Sequence, residues 1–361
     1  MGPSTASDDA GSRGAGSANR SAWQRVGRAV REPGRAAGYV QRPVAQAMSP
    51  RALYLDPHHD LRRSVFVAGS RRSGSTLLAE VLTAGNRLRL MFEPMRRDRV
   101  PLSRNVPEGV FVPPDDDAAA LAHVVTRVLT GRLRSSWADR YNTCRLARGR
   151  VVKEVRLNNL LPWMVRRYPA VPIVYLLRHP LATAWSSYEL QTPIKLGEYT
   201  SQPFLMGALT AAQRALVERT PSEKTVPAYV LRWCLENALP VQLLGAADVH
   251  VVLYEDLVRE PAGEMARLAE FLGRRQPSMW GAWRPDPGVL ARPSHSSWRD
   301  DKERPPTGEQ RVAGWHDAMG RGLIEEAMTM VAAFGLDRIY GDGTSPRVGA
   351  SDVLRGPPSA H

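Results

Sequence analysis

The chain alternates short apolar runs of strand length with longer runs of helical periodicity. The short runs are almost continuously apolar, which is typical of strands that are covered on both faces in a parallel sheet. The pattern predicts strands at 64–68, 88–92, 150–153, 171–177 and 248–254, and helices at 75–84, 118–129, 181–190, 230–244 and 264–273. We therefore expect an α/β fold, a central parallel sheet flanked by helices, with its ligands at the carboxyl ends of the strands.

One folded domain is expected between residues 61 and 342. Residues 1–60 combine scattered arginines with Gly, Ser and Ala, and residues 343–361 lose apolar periodicity and gain Gly, Pro and Ser. Such compositions do not bury enough apolar surface to fold. We predict a flexible basic tail before the domain and a flexible tail after it.

The charge balance of the chain favours anionic partners. Lys and Arg number 49 against 36 Asp and Glu, a formal net charge of +13. This charge would attract nucleic acid, anionic lipid, or a phosphorylated or sulfated small molecule, and charge alone does not choose among them. A non-catalytic nucleic-acid binder that uses the basic tail is one alternative. It leaves the motifs described below unexplained, so no nucleic-acid partner is expected.

Cysteine use and hydropathy bear on the compartment. The cysteines are Cys144 and Cys234, which excludes a disulfide framework and a Cys/His zinc motif. No apolar run reaches the roughly 18 residues of a transmembrane segment, and the first 50 residues lack the apolar centre of a signal peptide. We expect a protein of the reducing cytoplasm.

The stretch SVFVAGSRRSGSTLLAEVLTAG, residues 64–85, runs from a strand through a small polar loop into a helix. Gly69 and Gly74 are separated by four residues and followed by Ser75 and Thr76, the frame of a nucleotide phosphate loop. In that frame glycines let backbone N–H groups turn toward an anion, and the start of the helix adds a partial positive charge. The loop is predicted to hold a phosphate-like group.

The usual lysine of a phosphate loop is missing. Ser75 occupies its position, and Arg71 and Arg72 carry the positive charge ahead of the second glycine. A phosphate-loop kinase that uses ATP needs this lysine and a magnesium ion, so it is retained only as the alternative function.

A second candidate anion site lies in VYLLRHPLATAWSSYEL, residues 174–190. Arg178 ends an apolar strand, Pro180 suits the first helical position, and Ser186 lies eight positions after Arg178. A guanidinium group can form two parallel hydrogen bonds with phosphate. Taken alone, this spacing would usually mark a helix start with a surface arginine.

Together the two motifs resemble those of sulfotransferases that use 3′-phosphoadenosine 5′-phosphosulfate (PAPS). Residues 72–76, RSGST, resemble the 5′-phosphosulfate loop of that family, and Arg178 with Ser186 resembles its 3′-phosphate signature. The resemblance covers roughly residues 62–341, and is closer to the carbohydrate and bacterial branch. It implies the sulfotransferase fold, a single phosphate-loop-like domain, with PAPS as co-substrate and no metal. The donor-binding residues that it implies are Arg71, Arg72, Ser73, Gly74, Ser75, Thr76, Arg178 and Ser186.

The resemblance also implies the reaction and its catalytic residues. A sulfuryl group would pass from PAPS to a hydroxyl of a carbohydrate or of a glycosylated or lipid-linked metabolite. Arg72 would neutralise charge on the bridging oxygen that leaves. Glu93, in a Glu-Pro step after a strand, would be the general base, although it could instead pair with Arg96 or Arg97. His179 is the alternative base.

Lys153 ends a predicted strand and is a third catalytic candidate. It could contact the transferring sulfate or pair with neighbours of Glu154. Glu255 and Asp256 raise the possibility of an acidic metal site, but the resemblance implies a structural role for them.

The hydroxyl acceptor is a small molecule or a carbohydrate that no motif identifies. Residues 191–223 are a candidate acceptor wall or lid, and residues 296–301 a candidate loop over the donor. Trp137, Trp280, Trp283 and Trp298 could stack on the acceptor, although tryptophans are more often packing residues.

Overall fold

Five parallel strands form one sheet in the order β2-β3-β1-β4-β5 in the computed structural model, which describes residues 53–281, 283 and 308–355. The strands are β1 (Ser64–Gly69), β2 (Leu88–Phe92), β3 (Gly149–Glu154), β4 (Ile173–Leu177) and β5 (His250–Leu253). All five predicted strands are present, and the predicted fold class, a parallel sheet flanked by helices, is confirmed.

The helices lie around this sheet. In the first half of the chain they are α1 (Ser75–Thr83), α2 (Ala119–Leu129), α3 (Leu161–Arg167) and α4 (Pro180–Glu189). In the second half they are α5 (Leu196–Thr200), α6 (Pro203–Gly207), α7 (Ala211–Arg219), α8 (Val226–Leu243), α9 (Tyr254–Arg259), α10 (Pro261–Arg275), α11 (Pro277–Trp280), α12 (Gly308–Ala318) and α13 (Arg321–Ala333). None of these helices combines the length and apolar character that crossing a membrane requires.

The strand register brings the carboxyl ends of the strands to one edge of the sheet. Ala68 at the end of β1 pairs with Glu154 of β3, and Gly69 pairs with Leu176 of β4. Phe92 ends β2 opposite Lys153. The loops that follow the strands therefore open on the same edge, as expected for a parallel sheet that binds ligands there.

The core lies on both faces of the sheet, which explains why the strands are continuously apolar. Phe66 and Ala68 of β1 belong to one apolar cluster, whereas Val65 and Val67 belong to a second cluster. All four side chains are at most 1% exposed. Because successive side chains of a strand point to opposite faces, a sheet covered on both sides favours apolar residues at successive positions, and the buried exceptions Arg89 and Arg150 are paired with carboxylates.

Element boundaries differ from the predicted ones for local reasons. The long helix α8 begins at Val226, four residues before its predicted start, because the Thr225 side chain accepts a hydrogen bond from the Ala228 N–H and caps it. Strand β5 ends at Leu253 because α9 begins at Tyr254. The short helices α5–α7 were not predicted, although Thr210 and Gln213 form a capping box at α7.

Packed residues lie on both sides of the expected domain boundaries. Tyr54 and Asp56 are each 5% exposed, although they precede residue 61. Beyond residue 342, Pro346 forms an isolated β-bridge with Tyr340, and Val353 and Leu354 are buried. The packed structure thus extends from at least residue 54 to at least residue 354, because a few apolar side chains suffice to fasten segments whose overall composition is polar.

A buried charged network ties the segment that precedes β1 to the sheet. Arg89 of β2 and Arg150 of β3 are register partners, and both guanidinium groups contact the Asp56 carboxylate. Asp139 takes a further contact from Arg89, at 2.8 Å. Arg89 and Arg150 lie in the amino-terminal halves of their strands, away from the edge where the strands end.

Candidate active site

A cleft of about 970 Å³ opens at the carboxyl edge of the sheet. Every strand contributes to its lining through the residues at or just after its end, and α12 contributes Gln310, Arg311, Gly314 and Trp315. The residues that follow β1, β4 and β5 form one half of the cleft, which we call the donor half because predicted donor-binding residues, among them Arg72 and Arg178, line it. The residues that follow β2 and β3 form the other half, which we call the acceptor half because Glu93, the predicted base, lines it.

The loop after β1 turns sharply within the donor half. The Ser73 N–H donates to the Ser70 carbonyl at 3.2 Å, and Arg72 and Gly74 have φ angles of 69° and 93°. A Cβ atom on Gly74 would lie 2.4 Å from the Tyr254 ring. A Cβ atom on Gly69 would lie 2.9 Å from the Leu176 carbonyl oxygen. Both glycines of the predicted phosphate-loop frame are thus required by backbone conformation or close packing.

Ser70 fixes the start of this loop to two asparagines. Its hydroxyl accepts hydrogen bonds from Asn237 at 3.0 Å and from Asn158 at 3.5 Å. The Tyr175 hydroxyl donates to the Asn237 side-chain oxygen at 2.6 Å. This buried polar support escaped the sequence analysis, because its members come from four separate segments without a common motif.

The two predicted anion motifs meet in the donor half. The Arg72 Nε–H donates to the Ser186 Oγ atom at 3.1 Å. One Arg178 nitrogen donates to the Arg72 carbonyl at 2.7 Å and another to the Arg311 carbonyl at 2.5 Å. The Arg178 guanidinium lies 4.5 Å above the centre of the Tyr254 ring. The arrangement places two arginines side by side at the amino-terminal ends of α1 and α4.

His179 does not face the cleft. Its Nδ1 atom accepts a hydrogen bond from the Leu181 N–H, its Nε2 atom lies 2.9 Å from the Gly341 carbonyl, and its ring stacks on Trp315. Burial lowers the pKa of this imidazole to about 3. The ring therefore stays neutral and caps α4, which removes the alternative base.

Glu255 has a structural role, as the sequence resemblance implies. Its carboxylate accepts hydrogen bonds from the His179 N–H at 2.9 Å and from the Tyr340 hydroxyl at 3.1 Å. Burial raises the pKa of this carboxyl above its ordinary value. Glu255 thereby fixes the turn that presents Arg178.

Glu93 lies in the acceptor half, paired with two cations. Its carboxylate accepts hydrogen bonds from Lys153 at 2.9 Å and from Arg156 at 2.7 Å, and Arg96 lies 3.7 Å away. The backbone of Glu93 has a φ angle of 46°, and its N–H donates to the Lys153 carbonyl. Burial raises the pKa of the carboxyl, but the charges of Lys153 and Arg156 outweigh burial and hold this pKa well below its ordinary value.

Lys153 and Arg156 respond differently to burial. Burial lowers the pKa of the Lys153 ammonium, in spite of the nearby Glu93 carboxylate. For Arg156, burial is outweighed by Glu93, Glu154 and Glu108, and its pKa is raised. The sequence analysis missed Arg156, whose position two residues after the end of β3 is the signal that would have included it.

Glu108 connects the two halves of the cleft. Its buried carboxylate contacts Arg71 at 2.7 Å, Arg156 at 3.3 Å and Lys195 at 3.1 Å. Arg71, predicted to bind the donor, thus lies in the cleft lining with its guanidinium directed to Glu108 and to the Pro193 carbonyl. Pro193 and Lys195 also place the start of the predicted lid segment, 191–223, in the cleft wall.

The tryptophan candidates separate into different environments. Trp137 lines the cleft, and so does Trp185, which was not a candidate. Trp280 and Trp283 are buried in an apolar cluster and do not line the cleft, so for these two the packing alternative holds. Trp298 and the candidate donor loop 296–301 lie outside the described residues.

The model of the sulfotransferase family matches residues 64–278, which is more than half of the chain. The chain belongs to the sulfotransferase family. The match includes the loop after β1, Glu93, Lys153, Arg178 and Ser186, whereas α12 follows it. The predicted family is thereby confirmed, and the protein is a sulfotransferase-family enzyme.

Solved structures that match this sulfotransferase include three domains of low identity. The sulfotransferase domain from the Synechococcus PCC 7002 olefin synthase is 18% identical, with 78% of this chain and 98% of that chain covered and a TM-score of 0.41. The sulfotransferase domain from the curacin biosynthetic pathway is 15% identical, with 80% of this chain and 95% of that chain covered and a TM-score of 0.36. A sulfotransferase from Alicyclobacillus acidocaldarius is 16% identical, with 76% of this chain and 93% of that chain covered and a TM-score of 0.36. The curated proteins include no significant match.

Proposed function

We propose that this sulfotransferase transfers a sulfuryl group from PAPS to a hydroxyl of a carbohydrate or of a glycosylated or lipid-linked metabolite. The observation that carries the proposal is the meeting of the two anion motifs, in which Arg72 contacts Ser186 and Arg178 contacts the Arg72 carbonyl. A donor with phosphate groups at both ends of its ribose requires two such sites close together. The ATP-dependent kinase explains only the first of them.

The donor half offers hydrogen-bond donors that suit an anion. The Arg178 Nε and Ser73 Oγ atoms are buried and have no hydrogen-bond partner among the described residues. A buried donor without an acceptor costs about 1–3 kcal/mol, and a phosphate or sulfate oxygen would supply that acceptor. The residues present therefore fit the donor, with Arg178 and Ser186 at its 3′-phosphate and residues 71–76 at its phosphosulfate.

Bound PAPS supplies an activated sulfuryl group that is joined to the 5′-phosphate through the oxygen that leaves. In transfers of this kind catalysis rests mainly on alignment and on stabilisation of the leaving oxygen. Arg72 and the loop N–H groups neutralise the charge that develops there. Arginine keeps its proton at working pH, so Arg72 acts by its charge and donates no proton to the leaving oxygen.

Glu93 is the proposed base for the acceptor hydroxyl. Its low pKa keeps the carboxylate ionised, but also makes it a weak base toward an unreacted hydroxyl. Proton transfer to Glu93 therefore follows formation of the new bond to sulfur, when the hydroxyl has become acidic. Lys153, 2.9 Å from Glu93, holds this carboxylate and adds positive charge next to the transferring group.

The experiment that tests the function measures donor binding by titration calorimetry. Adenosine 3′,5′-bisphosphate and ATP are compared, with and without magnesium, on the wild type and on Arg178→Ala and Arg178→Lys. We expect metal-independent binding of the bisphosphate that falls at least about tenfold in Arg178→Ala and recovers in part in Arg178→Lys. Preference for magnesium-ATP would overturn the sulfotransferase function in favour of the kinase.

A second measurement tests the base. Glu93→Gln keeps the size of the side chain and a hydrogen-bonding oxygen but removes its charge. We expect binding of the bisphosphate to stay within about twofold of the wild type, and turnover to fall about 100-fold or more. Equal loss of both would assign Glu93 a structural role instead.

A further inference from the structure

The acceptor half of the cleft carries more positive than negative side chains. Its charged lining residues are Glu93, Arg96, Asp98, Arg140, Lys153 and Arg156. Lys153 and Arg156 neutralise Glu93, and Arg96 contacts Asp98 at 2.8 Å. Four of these six lining side chains are thus positive and two are negative, and Arg156 also contacts Glu108 and Glu154. Lys153 is assigned above to the transferring group, whereas Arg96 and Arg140 lie between β2 and β3, outside the loops of the donor half.

Trp137 is the centre of this positive surface. The guanidinium carbons of Arg140, Arg96 and Arg99 lie 4.2, 4.5 and 5.2 Å from the centre of its ring. Guanidinium groups thus cover the indole ring for which the sequence left stacking and packing open. An acceptor that enters this half would meet arginine side chains held on an aromatic support.

Arg140 is held by more than one ring. Its guanidinium carbon also lies 5.1 Å from the centre of the Tyr141 ring and 5.9 Å from that of Phe92. Phe92 and Tyr141 pack edge to face at 4.8 Å, and Phe92 lies 5.9 Å from Trp137. Aromatic contacts of this kind fix the guanidinium plane and reduce the entropy that an arginine loses when it binds an anion.

We propose that the acceptor of this sulfotransferase carries an oxyanion, a carboxylate or a phosphate, beside the hydroxyl that receives the sulfuryl group. Arg140, supported by Trp137, and Arg96 are the specificity-determining residues that bind it. Planar guanidinium groups bind carboxylate and phosphate oxygens in pairs, and the positive surface lies on the same half of the cleft as the proposed base. The inference rests on the proposed function and adds the chemical class of the acceptor to it.

The test uses the full chain with its donor half filled by saturating adenosine 3′,5′-bisphosphate. D-glucose, D-glucuronate and D-glucose 6-phosphate are then titrated calorimetrically, so that the same ring is presented neutral, with a carboxylate and with a phosphate. The variants are Arg140→Gln and Arg96→Gln. Arg321→Gln, whose side chain is 93% exposed outside the cleft, is the matched control for the change in net charge.

We expect at least one anionic sugar to bind about tenfold or more tightly than D-glucose, with an affinity that weakens as salt is raised. Arg140→Gln and Arg96→Gln should each remove about tenfold of that affinity, and Arg321→Gln should remove none. The sugar that binds more tightly identifies the carboxylate or the phosphate as the preferred anion.

Two results would overturn the inference and leave the proposed function standing. In the first, the bisphosphate binds but both anionic sugars bind no better than D-glucose. In the second, anionic sugars bind equally well to the wild type, Arg140→Gln and Arg96→Gln, which would place the anion elsewhere. Failure of the bisphosphate itself to bind would overturn the proposed function, and this inference with it.

Discussion

The Nε atom of Arg72 lies 3.1 Å from the Oγ atom of Ser186, and this contact joins residues that are 114 positions apart in the chain. Arg72 belongs to the loop after β1, and Ser186 lies on the second turn of α4. The parallel register of β1 and β4 brings the two elements side by side. A donor with two phosphate-bearing positions would therefore meet both motifs at once.

Ser186→Ala removes the hydroxyl that accepts from Arg72 and leaves the helix intact. We expect affinity for adenosine 3′,5′-bisphosphate to fall about tenfold, because a hydrogen bond to a charged group contributes about 1.5–3 kcal/mol. Titration calorimetry measures this affinity. The control is Ser201→Ala, which removes an exposed hydroxyl outside the cleft and should leave the affinity unchanged. Unchanged affinity in Ser186→Ala would remove Ser186 from the donor site.

Gly74→Ala tests the tight packing of the loop after β1. The new Cβ atom would lie 2.4 Å from the Tyr254 ring, at a φ angle of 93° that side chains rarely adopt. Gly85→Ala is the control, because Gly85 also has a positive φ, 68°, but has nothing within 4 Å of the added atom. The control should cost only the conformational strain, about 1–2 kcal/mol.

We expect Gly74→Ala to destabilise the fold more than Gly85→Ala does, and to abolish measurable binding of the bisphosphate. Urea unfolding and calorimetry measure the two effects. Equal stability losses in the two variants, with donor binding retained in both, would mean that the loop moves away from Tyr254 at little cost.

The sequence predicted the fold well because burial on both faces leaves a direct signal. Most strand positions are apolar, as in VFVA around Phe66, and the glycine spacing marks the loop after β1. Short or polar helices such as α5 and α7 leave weaker patterns, because few of their side chains enter the core. Local pattern thus identified the sheet more reliably than its surroundings.

The sequence predicted which residues lie in the site, but it did not predict which of them contact each other. Strand ends pointed to Lys153 and Arg178, but the pairing of Glu93 with Arg156 depends on how two loops fold over the sheet edge. Glu108 lies in a loop without any motif, although it contacts Arg71 in the cleft wall. The sequence left Trp280 open between packing and stacking, because a buried packing residue and a stacking residue have the same sequence signal.

Asp56→Ala tests the buried charged network that Asp56 forms with Arg89 and Arg150. Asp56 accepts from Arg150 at 2.9 Å and from Arg89 at 3.3 Å, and all three side chains are at most 1% exposed. Arg89 keeps its contact with Asp139, but the buried Arg150 guanidinium loses its counter-ion, which typically costs about 3–5 kcal/mol. Urea unfolding should show this loss for Asp56→Ala. Asp115→Ala is the control, because it breaks an exposed pair with Arg166 and should lower the free energy of unfolding by less than about 1 kcal/mol. Similar losses of stability in both variants would contradict the assigned role of Asp56.

The low pKa of Glu93 makes a prediction about pH that needs no acceptor. Lys153 and Arg156 hold the folded-state pKa well below that of the unfolded chain, so the ionised carboxylate stabilises the fold above the unfolded pKa of about 4.3. This stabilisation is lost as pH falls through the folded-state pKa. Urea unfolding between pH 7 and pH 3 should therefore show the wild type more stable than Glu93→Gln at pH 7, with the difference shrinking below about pH 4.5. If the difference in stability already disappears near pH 6, the pKa of Glu93 is raised and not lowered. The carboxylate would then be released from Lys153 and Arg156, and would be a stronger base than the paired geometry allows.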